Sequence, residues 1–458
     1  METMRRKGML LLVVTAMVSC CGTQGYPQDA RNVTEPRIPQ SCATLTASLH
    51  SSEGKLASSD ESRLDTERIQ AALDSCAPGK AVELKSGSDR DSFVSGALQL
   101  RAGVTLLVDA SVILFASRNP RDYDTRVGAC GVISTAGGGC RPLIGGTRVE
   151  GAGVMGDGII DGRGGETMLG SSATWWQLAD QARTGGTQNN PHLLVLSGCD
   201  NFTLYRITLR NSPNFHVAYN GGNGFTVWGV KIYSPKNARN TDGIDPGNSS
   251  NVTIAYSWID TGDDNVAIKA GAGLPTTHMT IAHNHFYSGH GMSIGSETNG
   301  GVSAIRVLDL SIDGADNGIR IKSNSTRGGL VHDVVYEDVC IRDTKNPIYM
   351  DTHYTATVGP QQGLVPVFED ITLRNVRISG EGKLTLDGFN AEYRLKMTFD
   401  NVILDAPSSV NITASHATLT LGPGAVNFRP QGEDVSTSGN PAAGSANSCA
   451  RKFAPFPR

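Results

Sequence analysis

From residue 81 onward the chain alternates apolar and polar positions in short runs. AVEL (81–84), SGALQL (95–100), GVTLLVDASVILFAS (103–117) and GVMGDGIIDGRGG (153–165) each keep a period of two for a few residues, with Gly- or Asn-rich turns between them. That pattern predicts short strands. The strands then recur as units: NFTLYRITL starts at Asn201, GFTVWGVKI at Gly224, NVTIAYSWI at Asn251, HMTIAHNHF at His278, AIRVLDLSI at Ala304 and FEDITLRNVRI at Phe368. The first five starts lie 23, 27, 27 and 26 residues apart. A recurring period in this range marks a solenoid, in which stacking closes the core that one unit cannot close alone. The expected fold is all-β, a parallel β-helix with strands of neighbouring coils roughly 4.8 Å apart. Its right-handed sense is taken from known β-helices. One helix is expected at the start, in SRLDTERIQAALDSCAPG, where Ile69, Ala72, Leu73 and Cys76 form one stripe and Pro78 and Gly79 end it. It would cap the apolar end of the first coil.

The ends read differently. Arg5, Arg6 and Lys7 precede an apolar core from Met9 to Val18, followed by Ser19 and Cys20. This is a signal peptide, residues 1–25, too short to span a bilayer. The protein is therefore expected to be secreted, with lipid attachment at Cys20 as the alternative outcome of cleavage. Residues 26–424 are expected to form the β-helix domain, and 425–458, rich in Gly, Ser, Ala and Pro, a tail held by Cys449, Phe453 and Phe456. TWWQLADQAR (174–183) interrupts the strand pattern and is expected to be a loop with a helical turn. Trp175 and Trp176 there fit a sugar platform and loop packing equally well.

Composition narrows the class. Net charge is −4, and no Lys/Arg run follows the signal region, so nucleic acid is not an expected partner. No other apolar run approaches 18 residues, so no membrane span is expected in the mature chain. Export favours disulfides. Of the cysteines beyond the signal, Cys130 and Cys140 flank a Gly-rich turn, and Cys42 and Cys76 would tie the entry strand to the helix. Seven such cysteines leave at least one free, with Cys199 and Cys340 the candidates.

The candidate chemistry lies between Asn240 and Lys322, in NTDGID, GDDNVAIKAG, SGHGMSIGS and NGIRIKS. Asp242 and Asp263 are 21 residues apart, Asp264 and His290 26, and His290 and Arg320 30, all near one coil. In IRIK, Ile319 and Ile321 would face the core while Arg320 and Lys322 face out, where two cations suit carboxylates. Asp263 and Asp264 can both face out only if the strand breaks after Gly262. Single turn aspartates are explained by local backbone bonds, but three at coil spacing call for a site. Three clustered carboxyls cannot all ionise easily, so one pKa should rise. A carboxyl with a raised pKa suits the general acid of glycoside hydrolysis, and an ionised one activates water or attacks the sugar. His290, between Gly289 and Gly291, would support the acid. His283, His285 and His290 as a zinc set, or Asp260, Asp263 and Asp264 as a calcium set, are the competing readings. The expectation is no metal and no cofactor.

On these residues the chain resembles glycoside hydrolase family 28, the polygalacturonases. NTD (240–242), GDD (262–264), GHG (289–291) and RIK (320–322) occur in order. GDGIIDGRGG (156–165) and NSPNFHV (211–217) add weaker likeness, and the wording of GDDNVAIKAG and GHGMSIGSE is most similar to bacterial endo-acting members. The resemblance covers roughly residues 40–420. It implies inverting hydrolysis of α-1,4 links between galacturonates in pectin. It also implies Asp263 as general acid, Asp242 and Asp264 holding the water, His290 supporting the acid, and Arg320, Lys322 and Tyr354 binding substrate. The alternatives are exo action, a Ca²⁺-dependent pectate lyase and a non-catalytic glycan-binding β-helix. The expected partner is an acidic polysaccharide, polygalacturonate, and the expected state a monomer.

Overall fold

The first five repeat units begin at left-handed corners. Asn201, Gly224, Asn251, His278 and Ala304 have φ from 52° to 92°, and the residues that follow them (Phe202, Phe225, Val252, Met279, Ile305) pair in one continuous register. A second column of left-handed corners runs through Arg206, Gly229, Tyr256, His283 and Asp309. Such a φ is costly for most L-residues, and Asn and Asp tolerate it best through local hydrogen bonds. Asn occupies several of these corners and forms ladders there, as where Asn401 donates to Asn375 at 2.9 Å. The turns seen as Asn-rich in the sequence are these corners.

The computed structural model describes residues 28–354, 363–444 and 448–457. Among them, one large sheet carries the strands of a right-handed parallel β-helix, each coil pairing in parallel with the next. Its core is built in columns. Val217, Ile244, Val266, Met292, Ile319, Ile348 and Leu384 stack coil upon coil, and each is fully buried. Burial of such a side chain contributes about 1.5–3 kcal/mol. The helix Thr66–Ser75 turns Ile69, Ala72 and Leu73 into the first coil, and the Cys42–Cys76 disulfide ties it to the strand Ser41–Thr46.

Two straps cross the coils from outside. At the N-terminal side, Asp29 accepts from the Thr253 hydroxyl at 2.7 Å, Arg31 donates to the Phe225 carbonyl at 3.0 Å, and Glu35 accepts from Tyr205 at 2.7 Å. At the C-terminal side, Cys449 is bonded to Cys340, Lys452 pairs with Asp309, and Arg342 lies 4.2 Å over the Phe453 ring. Phe456 packs against Tyr233 and Tyr287.

Several expectations change. Cys340 is not free; the buried Cys199 is, because the tail folds back over the coil that carries Cys340. The Cys130–Cys140 clip is present. The tail keeps one strand, Gly432–Ser438, parallel to Val410–Leu421. TWWQLADQAR holds a true helix, Trp175–Gln181, closed by a Thr174/Gln177 capping box. Trp175 is no sugar platform: it is fully buried, edge-on to Tyr123. Trp176 donates to the Ser212 carbonyl at 2.9 Å and lies so close to Gly165 that a Cβ there would sit 2.5 Å from the ring. The pair packs the loop onto the coil. The signal segment and Cys20 lie outside the described residues, and no helix among the described residues is long and apolar enough to cross a membrane.

Candidate active site

Register brings the predicted residues together. Ile244, Val266 and Met292 pair in succession, so Asp242, Asp264 and His290, each two residues earlier, enter three consecutive coils at the same point. The expected strand break is present: one strand ends at Asp260 and the next starts at Val266. The glycine after Asp242 makes this stacking possible. A Cβ on Gly243 would lie 2.4 Å from the Asn265 carbonyl.

The turns are bonded to one another. Gly243 N–H donates to the Asp264 carbonyl at 2.9 Å, and His290 N–H to the Asp263 carbonyl at 3.0 Å. The Thr241 hydroxyl accepts from Gly262 N–H at 3.0 Å. Buried Asn265 donates to the Ile259 and Ser288 carbonyls and accepts from Gly291 N–H at 2.8 Å. Behind Asp242, His216 Nδ1 bonds the Asp242 carbonyl at 3.0 Å while Nε2 meets Ser234 Oγ at 3.0 Å. Burial lowers the His216 pKa to about 4, so the ring is neutral near pH 7.

The carboxyls differ sharply. Asp264 accepts from Arg320 Nη1 at 3.1 Å, Lys322 Nζ at 2.8 Å and Ser293 Oγ at 2.8 Å. Burial would raise its pKa, but the two cations pull it well below the usual range. Asp263 Oδ1 meets His290 Nδ1 at 3.0 Å. Burial again opposes, and that bond holds Asp263 below its ordinary value. Asp242 goes the other way: burial first, then the charge of Asp263, raise it well above a normal carboxyl. Its Oδ1 is buried with no hydrogen-bond partner among the described residues. The carboxyl whose pKa rises is Asp242 and not Asp263, because the imidazole sits against Asp263.

Arg320 and Lys322 share one strand face, as IRIK predicts, yet each is only 6% exposed. Both are covered by Asp264 and by tyrosines. Arg320 lies 5.6 Å from the Tyr349 ring and 5.4 Å from Tyr354, and Lys322 lies 5.3 Å from Tyr354. Tyr354 thus joins the cluster, held by its N–H on the Ser323 carbonyl at 2.9 Å and by Asn324 on its own carbonyl.

Two residues escaped the sequence reading. Lys269 Nζ lies 2.6 Å from Asp245 and 3.7 Å from Asp242, above the Phe215 ring. Asp245 is pushed up to about 6 by burial, against the pull of Lys269. The signal was available: Ile244–Asp245 and Ile268–Lys269 repeat the in-out alternation of Ile319–Arg320 and Ile321–Lys322.

The metal alternatives fare differently. His283 bonds Asp309 and His285 bonds Ser311, so neither joins His290. Asp263, Asp264 and His290 do bring ligand atoms within 4.8 Å of one another, but Asp264 is already matched by two cations, which disfavours a third. A similar grouping, Asp351, His353 and Asp387, is already bonded internally, His353 to Asp387 at 2.6 Å and Tyr349 to Asp351 at 2.6 Å.

A compact set of acids beside a cationic, tyrosine-backed strand can bind an anion and move a proton next to it. Known proteins agree in kind. Residues 91–420 match the model for glycosyl hydrolases family 28. A polygalacturonase of Ralstonia nicotianae is 41% identical over 93% of this chain and 92% of its own. An endo-polygalacturonase of Pectobacterium carotovorum is 41% identical over 88% and 96%. The solved polygalacturonase of Erwinia carotovora superposes with a TM-score of 0.80 at 42% identity, covering 86% of this chain and all of the other. On sequence and on fold, the chain belongs to glycosyl hydrolases family 28.

Proposed function

We propose that the protein hydrolyses α-1,4-galacturonosyl links within polygalacturonate, with inversion. The observation that carries this is the Asp242–Asp263–Asp264–His290 cluster next to Arg320, Lys322 and Tyr354. Uronate carboxylates meet the guanidinium and ammonium, which places the glycosidic bond over the acids. Asp263 gives its proton to the leaving oxygen, and Asp242 and Asp264 orient and activate the water.

Burial and the charge of Asp263 raise the pKa of Asp242, and bound substrate shifts the balance towards Asp263. Lys322 is among the groups that lower Asp263. A uronate carboxylate against Lys322 cancels that field, and closing out water adds to desolvation, so Asp263 rises towards a proton-holding state. Inversion rests on the likeness to the family. Carboxyls on adjacent coils stand roughly 5 Å apart, a spacing otherwise associated with retention.

Endo action is supported by the names of the similar relatives, and export by three disulfides together with the charged and apolar N-terminus. The test is product analysis on de-esterified polygalacturonate. Viscosity should collapse long before reducing ends accumulate, and proton NMR should show the inverted anomer first. Unsaturated, ultraviolet-absorbing products, or loss of activity with chelator, would instead mark a lyase.

A further inference from the structure

Arg320 and Lys322 lie on one side of the acid cluster. The other side has a cation of its own. Arg239 stands three residues before Asp242, in the turn that leads into the strand Ile244–Gly247. It is half-buried, and its Nη1 donates to the Ala179 carbonyl at 2.7 Å, on the helix Trp175–Gln181. No ion pair engages it among the described residues. The next residue is fixed too: Asn240 accepts from Gln188 at 3.1 Å. Arg183, at the end of the same helical segment, is near enough to repel it. Burial and that repulsion together lower its pKa, and Asp263 lies within electrostatic reach. Arg183 has its own carboxylate, Asp180, at 3.2 Å.

A half-buried guanidinium facing another cation, without a carboxylate, adds nothing to stability. It is well placed for an anion arriving from solution, and its remaining N–H groups form a fork that fits a carboxylate. We propose that Arg239 binds a uronate of the polymer in a subsite across the acid cluster from Arg320 and Lys322, an inference that rests on the polygalacturonase reading above. From Ile244 through Val266 and Met292 to Ile319 is three coil steps, roughly 14 Å at about 4.8 Å each. Arg320 and Lys322 reach back along that span to Asp264, so the cations flank the acids from opposite sides, and each side takes the carboxylate of a different sugar.

The test uses Arg239→Gln and Arg239→Lys in the full protein. On polygalacturonate, Arg239→Gln should raise KM about tenfold, the loss of one charge-assisted pair, with kcat within about twofold. Arg239→Lys, which keeps the charge but not the fork, should fall between. Binding of a hexagalacturonate is then measured by calorimetry on Asp263→Asn, with and without Arg239→Gln. Weaker binding in the double variant supports the subsite. Equal binding, or a fall in kcat at constant KM, overturns it and leaves the polygalacturonase reading intact. If Asp263→Asn alone binds no oligogalacturonate while still folded, the reading beneath the inference fails.

Discussion

Asp242 and Asp264 occupy the same place in neighbouring coils, two residues before a buried aliphatic of one column. Their states are nevertheless opposite. Asp264 receives two cations from a strand two coils away and is held ionised. Among the described residues, the one cation paired with Asp242 is Lys269, at 3.7 Å, and Lys269 is closer to Asp245. Position in a solenoid is set by register, but charge state is set by what the other coils deliver. A β-helix can thus repeat an aspartate and still give each copy separate chemistry.

The comparison breaks most visibly at Asp264. Asp264→Asn leaves Arg320 and Lys322 buried without their carboxylate, which should cost about 3–5 kcal/mol in urea unfolding near pH 7 and abolish turnover. Its folded pKa is depressed, so the stabilisation is present above the unfolded value, about 3.9, and is lost as pH falls towards the folded one. The deficit of the variant should therefore shrink below pH about 4.

Asp242→Asn should do the reverse. The folded pKa is raised, so ionising Asp242 costs stability as pH climbs above about 3.9. The variant should lose activity yet unfold later at pH 7, by something of order 1 kcal/mol, with no gain at pH about 3, where Asp242 is protonated folded or unfolded. An Asp242→Asn protein less stable than the parent at pH 7 would mean that the proton does not reside there.

The geometry of this pair was legible in the sequence, and its electrostatics were not. Repeat spacing predicts the coils, Gly262 the break that turns Asp263 and Asp264 outward, and alternation in IRIK the cationic face. These are local, periodic properties of the backbone. The raised pKa of Asp242 depends on distances between side chains from different coils, which no spacing gives. Cys340–Cys449 likewise depends on where a tail more than a hundred residues away returns. Trp175 was ambiguous because an aromatic pair in a loop suits a surface as well as a core until its neighbours, here Tyr123 and the glycines under Trp176, are known. Lys269 and Asp245 lie inside GDDNVAIKAG and NTDGID and were readable by the alternation applied to Arg320 and Lys322; their pairing with each other, across two coils, was not.

The smallest change in stability, and the sharpest probe of mechanism, is His290→Ala. The His290 side chain is 29% exposed, so its loss should cost less than about 1 kcal/mol. Its consequence lies in Asp263. With the carboxylate ionised, Nδ1–H donates to it at 3.0 Å, and this bond is the largest influence, ahead of the Lys322 field, acting against burial and the adjacent charge of Asp264. Without the ring, those two influences remain and Asp263 must rise. If Asp263 is the proton donor, the alkaline limb of kcat/KM, where the donor loses its proton, moves to higher pH even as the maximal rate drops by about a hundredfold through lost orientation. A rate that drops with the limb unmoved would mean that His290 serves geometry alone, and the proton would then have to come from a carboxyl the imidazole does not touch, with Asp242 the one already placed to hold it.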